Sequence, residues 1–194
     1  MFAYRHGYWF KEKDYPKNPY PLLQLSCSHD ELYVIGTFKN GFQLWNIEVI
    51  NNSADNCDDG CTTIKLPTSV RNIATKMNKS SPVVLSAKQT YAIAGIRKEM
   101  YIWLVETAEL VKVLDAHFSR IIDLQPLTYG VWNCVITSSI DRSIKVWNMD
   151  YALEKAHHID RHELPIASVR VSTEAGIAVV VTRNCIGIWE LLTG

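Results

Sequence analysis

Four times along this chain an apolar run ends in tryptophan, and the intervals between those endings limit what the chain can fold into. The runs are NGFQLWNI at 40–47, KEMYIWLV at 98–105, DRSIKVWNM at 141–149 and RNCIGIWELLTG at 183–194. Their tryptophans are Trp45, Trp103, Trp147 and Trp189, spaced by 58, 44 and 42 residues. The last two intervals are the length of a repeating unit of four short strands with their turns. The first interval is longer, and the excess falls in 50–65, which opens with the polar, acidic stretch INNSADNCDDGCT. That composition predicts a surface insertion between strands.

Within each interval the residues read as strands. Val, Ile, Thr, Tyr and Trp gather in short runs bounded by turn formers, and no window keeps an apolar 3.6 period for three turns. The third unit predicts strands over IIDLQ at 121–125, WNCVITSS at 132–139, SIKVWN at 143–148 and an edge segment near 154–159, with PLTYG at 126–130 as a turn. The second predicts strands at 82–86, 90–96, 100–105 and 109–114; the fourth, at 167–172, 176–182 and 186–191. The first predicts 22–28, 31–37 and 42–47, with the outermost strand at RNIATKM, 71–77, beyond the insertion. The central strands are apolar almost throughout, as expected when both faces of a small sheet are covered by neighbours. The fold expected is therefore all-β: a partial β-propeller of about four four-stranded blades, the last lacking its outer strand. The units run 22–80, 81–115, 116–160 and 161–194, with 1–21 as an N-terminal arm or the outer strand of a preceding blade.

Residues 116–148, AHFSRIIDLQP…VITSSIDRSIKVWN, resemble a WD repeat at its diagnostic places. The family's Gly-His dipeptide stands here as Ala116-His117, its Ser-x-Asp as Ser139-Ile140-Asp141 and its Trp-Asp as Trp147-Asn148. The resemblance covers about 22–194 and implies a hydrogen-bonded set of His117, Ser139, Asp141 and Trp147. Its physical logic is that a buried imidazole and indole N–H need partners, which a carboxylate and a hydroxyl supply. The other units depart from the pattern: the Asp position holds Lys39, Arg97 and Arg183, and the Ser position Thr37, Gly95 and Val181. The third unit is also similar to the WD-repeat portion of NACHT and WD-repeat domain-containing proteins, although no GxxxxGK[ST] phosphate loop occurs in the chain. Four units against the seven usual in the family, ending where a fourth strand would begin, leave three explanations, a piece of a longer protein with further blades, a splice form, or a small ring completed by residues 1–20, and the first is the one expected.

Other candidate chemistry is accounted for more simply. Cys57 and Cys61, in CDDGC, lack the second ligand pair that a structural zinc site needs, and are expected in an exposed loop. His117, Asp141 and Ser139 contain the ingredients of a catalytic triad, but no nucleophile elbow frames the serine. His157, His158 and His162 cluster with Asp160 and Glu163, yet adjacent strand residues point to opposite faces. No enzyme activity, metal or cofactor is expected. Twenty basic against twenty acidic residues argue against a nucleic-acid module. In the N-terminal stretch, aromatics and basic residues interleave, but Glu12 and Asp14 interrupt them. The odd, scattered cysteines and the absence of a long apolar run point to an intracellular, cytoplasmic protein without a membrane span.

The function expected is a protein-binding scaffold, the alternative being a regulatory module for an attached nucleotide-binding (NACHT-type) domain outside this chain. Partner-facing residues are expected on the loops at one end of the blades: His29, Lys39, Arg97, Arg120 and Arg183, with Arg142 and Arg170 in support. The aligned basic residues Lys39, Arg97 and Arg183 suit an acidic protein partner.

Overall fold

Antiparallel pairing divides the chain into small separate sheets, as seen in a computed structural model that describes residues 2–5, 8–11, 21–28, 32–38, 41–47, 61–65, 81–129, 132–150 and 156–190. A hairpin of β1 (Phe2–Arg5) and β2 (Tyr8–Lys11) comes first. The first four-stranded sheet is β3 (Gln24–Cys27), β4 (Tyr33–Phe38), β5 (Gly41–Asn46) and β6 (Cys61–Lys65). The second is β7 (Val83–Leu85), β8 (Tyr91–Ile96), β9 (Glu99–Leu104) and β10 (Leu110–Asp115). The third is β11 (Ile121–Tyr129), β12 (Trp132–Ser139), β13 (Ser143–Asn148) and β14 (Ala156–Arg161), and the last has β15 (Ile166–Ser172), β16 (Ile177–Thr182) and β17 (Ile186–Glu190). In every sheet the strands lie in chain order, each paired with the next. The fold is a run of β-propeller blades.

The two-residue side-chain period of a strand explains how one sheet serves two seams. On β8, Ala92, Ala94 and Ile96 pack with Ile35, Phe42 and Leu44 of the first sheet, whereas Ile93 turns the other way to join Ile121, Leu124 and Val135 of the third. β9 divides likewise, Tyr101 and Trp103 toward the first sheet, Met100 and Ile102 toward the third. A third core joins Leu127, Ile136 and Ile144 to Ile166, Val169, Ala178 and Val180 of the last sheet. Trp103, Trp147 and Trp189 each join the core shared with the preceding sheet, so the repeating indole marks one direction along the stack. Across the first seam, Phe42 and Trp103 meet edge to face with centroids 5.3 Å apart.

Two strand expectations need correcting. The outer strand of the first sheet is β6, Cys61–Lys65, paired Trp45↔Cys61 through Gly41↔Lys65, and so lies within the stretch expected to be surface insertion. Residues 71–77 and Cys57 lie outside the described residues. The stretch 126–129, expected as a turn, instead continues β11, with Pro126 opposite Val135. β11 is the first strand of its sheet, so the missing N–H of Pro126 need not interrupt a ladder on its other side. The stretch 1–21, expected as an arm or the outer strand of a preceding blade, contains the hairpin of β1 and β2.

Candidate functional site

The loops at one end of the sheets are tied together by backbone hydrogen bonds. The two-residue turn Arg97–Lys98 between β8 and β9 accepts bonds from the next sheet's leading segment: the amides of Ala116 and His117 donate to the Lys98 carbonyl, and Ile121 N to Arg97 O at 2.6 Å. That segment in turn meets the β12–β13 turn, where Ile140 N donates to Arg120 O at 3.1 Å. The same turn reaches onward, His162 N donating to Arg142 O at 2.8 Å. The loops at 97–98, 116–121, 140–142 and 162 therefore form one continuous rim.

A side-chain relay fixes the rim at the third sheet. Trp147 Nε1 donates to Thr137 Oγ1 at 2.9 Å, Thr137 Oγ1 lies 2.7 Å from His117 Nε2, and His117 Nδ1 lies 3.0 Å from Asp141 Oδ2. Every donor is used once when Nδ1 carries the ring proton and the Thr137 hydroxyl donates to Nε2. Asp141 then gathers further donors: the Ser143 hydroxyl at 2.6 Å, the Ser143 amide at 2.9 Å and the Phe118 amide at 2.8 Å. Burial pushes the Asp141 carboxyl up, but the Ser143 hydroxyl and amide, the Phe118 amide and the His117 ring outweigh it and hold its pKa down at about 2. Lys145 donates to the Ala116 carbonyl at 2.5 Å and sits 5.8 Å over the Trp147 ring. Burial lowers its pKa, against the opposing pull of Asp141 and Asp115.

Of the four residues expected in this set, His117, Asp141 and Trp147 are brought together, and Ser139 takes a different place. Its hydroxyl donates to the carbonyls of Ser119 and Arg120 and accepts from the Asp141 amide. The bridge between imidazole and indole is Thr137, which the sequence reading missed. Register could have found it: Val135 lies opposite Trp147 and Thr137 opposite Lys145, so Thr137 shares the tryptophan's face while Ser139 sits at the strand end.

The last sheet holds the matching histidine and tryptophan without the bridge. His162 precedes Ile166 as His117 precedes Ile121, and its ring meets Trp189 edge to face at 5.5 Å. Ala178 lies opposite Trp189 and Val180 opposite Gly187, so a fully buried valine occupies the place of Thr137. His162 Nε2 and Trp189 Nε1 are both buried without a hydrogen-bond partner. A Cβ added at Gly187 would come within 3.2 Å of Trp189 Nε1, so the indole lies over the glycine. In the second sheet, the Ser position is filled by Gly95, where a Cβ would meet Ile121 Cγ2 at 2.7 Å; the neighbouring blade leaves no room for a side chain.

Among the partner-facing candidates, Arg97 and Arg183 are exposed in the β8–β9 and β16–β17 turns, and Arg120 is half-buried between His117 and β11. Arg142 is exposed and donates to the Glu163 carbonyl. Arg170 instead lies in β15 and bonds Asp123 of β11 at 2.5 Å. Asp123 Oδ2 also accepts from Ser168 Oγ and Val169 N, which makes it a clamp across the third seam. At the opposite end of the blades, Lys88 pairs with Asp150 at 2.9 Å, and Asp150 also receives the Asn133 amide. Hydrogen bonding to Lys88 leads the causes that lower the Asp150 pKa. His29 and Lys39 lie outside the described residues, while Trp45 and Trp103 are buried. Among the described residues no group of three His, Cys, Asp or Glu side chains is placed to hold a metal ion, and no helix is long and apolar enough to cross a membrane.

Three comparisons bear on the chain. A family model described as the NWD2 C-terminal beta-propeller matches residues 156–194. WD repeat-containing protein 18 of Danio rerio is 25% identical over 116 residues, 54% of this chain and 26% of that protein. The Bos taurus protein of the same name is 26% identical over 115 residues, with the same coverage. The chain thus spans about a quarter of the length of the curated relatives it matches. Among solved structures, the RRP9 WD40 repeats superimpose with a TM-score of 0.64 at 17% identity, over 90% of this chain and 49% of that one. The structure of U3-55K gives 0.63 at 16%, over 90% and 50%. The structural likeness establishes the WD-repeat propeller fold. The sequence matches support broad homology to WD-repeat proteins; the narrower match covers the last 39 residues alone.

Proposed function

We propose that this chain is a non-catalytic WD-repeat scaffold, part of a larger protein, that binds other proteins through the rim of loops. Residues 22–80, 81–115, 116–160 and 161–194 serve as its blades, and 1–21 as a strand-forming arm. The observation that carries this reading is the display of Arg97 and Arg183 at the turn position that Asp141 occupies in the third sheet. Asp141 is consumed by its own loop; the two arginines face solvent. His117, Thr137, Asp141 and Trp147 hold the loops and do no chemistry. Within this set, the polar atoms that a nucleophilic mechanism would use are committed to structural bonds. Cys27, Cys134 and Cys185 are free thiols, which suits a reducing, cytoplasmic setting. The test is charge reversal: the double variant Arg97→Glu and Arg183→Glu loses partners in a quantitative pull-down, and undiminished recovery of every partner refutes the reading.

A second reading is favoured by the family match over 156–194. In it the blades restrain a nucleotide-binding effector domain elsewhere in the parent protein. The parent reading frame decides: a phosphate-loop motif encoded in frame supports this reading, and its absence ends it.

A further inference from the structure

The rim carries apolar as well as cationic groups. Phe118 is 84% exposed, although its backbone amide is pinned by Asp141 Oδ2. Ile140, in the adjoining turn, and Leu164, in the next loop, are also exposed. Isolated exposed apolar residues are ordinary on a protein surface. These three stand on loops that are bonded to one another in sequence, and Phe118 stands beside the relay. An aromatic ring on a fixed backbone loses little freedom when covered, as a binding anchor requires.

The charges beside these residues are unequal. Lys98 is paired with Asp115 at 2.9 Å, and Asp141 is consumed by the relay. Arg97, Arg120 and Arg142 have no carboxylate partner among the described residues; the exposed acids on the same loops are Asp115, paired with Lys98, and Glu163, whose carbonyl receives Arg142. Arg97 and Arg142 also hold positive φ, at 56° and 72°, a conformation that glycine or asparagine adopts at lower cost. At Arg97 that cost is offset by no side-chain bond among the described residues, whereas the Arg142 guanidinium also donates to the Glu163 carbonyl.

We propose that this rim docks an acidic segment of a partner protein that carries an apolar side chain, with Phe118 and Ile140 receiving the apolar group and Arg97, Arg120 and Arg142 its flanking carboxylates. The proposal rests on the rim reading above and gives it a ligand chemistry. Guanidinium groups pair carboxylates through two parallel bonds, which fixes the segment's orientation while the apolar side chain is desolvated against Phe118. A nucleic acid fits less well, since three arginines in a chain of zero formal net charge do not make a track for successive phosphates.

The test selects a random displayed peptide library against the 194-residue chain and measures recovered peptides as fluorescein conjugates by anisotropy. The expected consensus places Asp or Glu beside Phe, Leu or Trp. Phe118→Ala weakens binding about tenfold or more, as does Arg97→Glu combined with Arg120→Glu, with circular dichroism and thermal midpoint unchanged. Phe118→Leu, which keeps an apolar group, retains most of the affinity and guards against a folding artefact. A consensus without acids, or peptides indifferent to Phe118→Ala but lost on Arg97→Glu and Arg183→Glu, overturns the inference and leaves the rim reading standing. Peptides indifferent to all rim substitutions overturn both. A uridine-rich single-stranded RNA that binds more tightly than any peptide, and is lost on the same substitutions, also overturns the inference.

Discussion

Replacing Thr137 by valine tests whether the third blade depends on the relay or merely contains it. Valine keeps the volume and β-branching of threonine, so strand propensity and packing change little and no cavity opens. What disappears is the oxygen 2.7 Å from His117 Nε2 and 2.9 Å from Trp147 Nε1. Both nitrogens are buried, and each polar group left without a partner costs about 1–3 kcal/mol. The two together predict a loss of about 2–6 kcal/mol, since Ser143 Oγ, at 3.0 Å, faces His117 Nδ1 and not the nitrogen that loses its partner. Urea unfolding of wild type and variant, followed by far-UV circular dichroism, reads this as a drop in midpoint at constant slope. The Ser139→Ala variant is the control, because it removes loop bonds but spares the imidazole–indole bridge. A Thr137→Val cost below about 0.5 kcal/mol, within the range of an ordinary surface substitution, would refute the reasoning.

Two further outcomes follow from the same geometry. Val180→Thr in the last blade places a hydroxyl between His162 Nε2 and Trp189 Nε1, and is expected to raise stability by about 1 kcal/mol; a lowered thermal midpoint means the hydroxyl found neither nitrogen. Asp141, with its pKa held at about 2, contributes about 2–3 kcal/mol that is fully present above the unfolded carboxylate range near 4 and is lost as pH falls through about 2. The stability gap between wild type and Asp141→Asn should therefore shrink between about pH 5 and about pH 2, and a gap constant over that range contradicts the assignment.

The repeat was legible because stacking buries both faces of each blade. Strands such as YAIAGI and EMYIWL then read as almost wholly apolar runs, the second carrying a buried indole near its end, a signal that survives without any alignment. The outer strands were harder, since an edge strand needs little apolar content. The first blade's outer strand, CTTIK, carries one aliphatic residue, and RNIATKM looked the better strand by composition alone. Pro126 misled in the same way, being a turn signal in general and harmless on a strand whose other side has no ladder. Within the site, the motif pointed to His117, Asp141 and Trp147, but choosing Thr137 over Ser139 required the cross-strand register, which spacing in sequence does not specify.

The three seams are held by different means, and that difference bears on function. An aromatic pair, Phe42 with Trp103, lies across the first; backbone bonds from Arg97 and Lys98 to the His117 segment cross the second; the third adds the Asp123 clamp to a backbone bond from His162 N to Arg142 O. Among the described residues, a completed relay stands at the third blade alone, where it pins the amide of the most exposed large apolar side chain, Phe118. The last blade keeps the histidine and tryptophan but has valine in place of the hydroxyl and arginine in place of the carboxylate, so its two rings are held by packing, its loop by bonds to Arg142, and its turn is left cationic. Losing the acid at a turn thus has two effects at once: the local network goes, and a positive group appears at the rim. A scaffold that recognises an acidic partner would use both kinds of turn, rigid where the apolar anchor sits and cationic on either side of it.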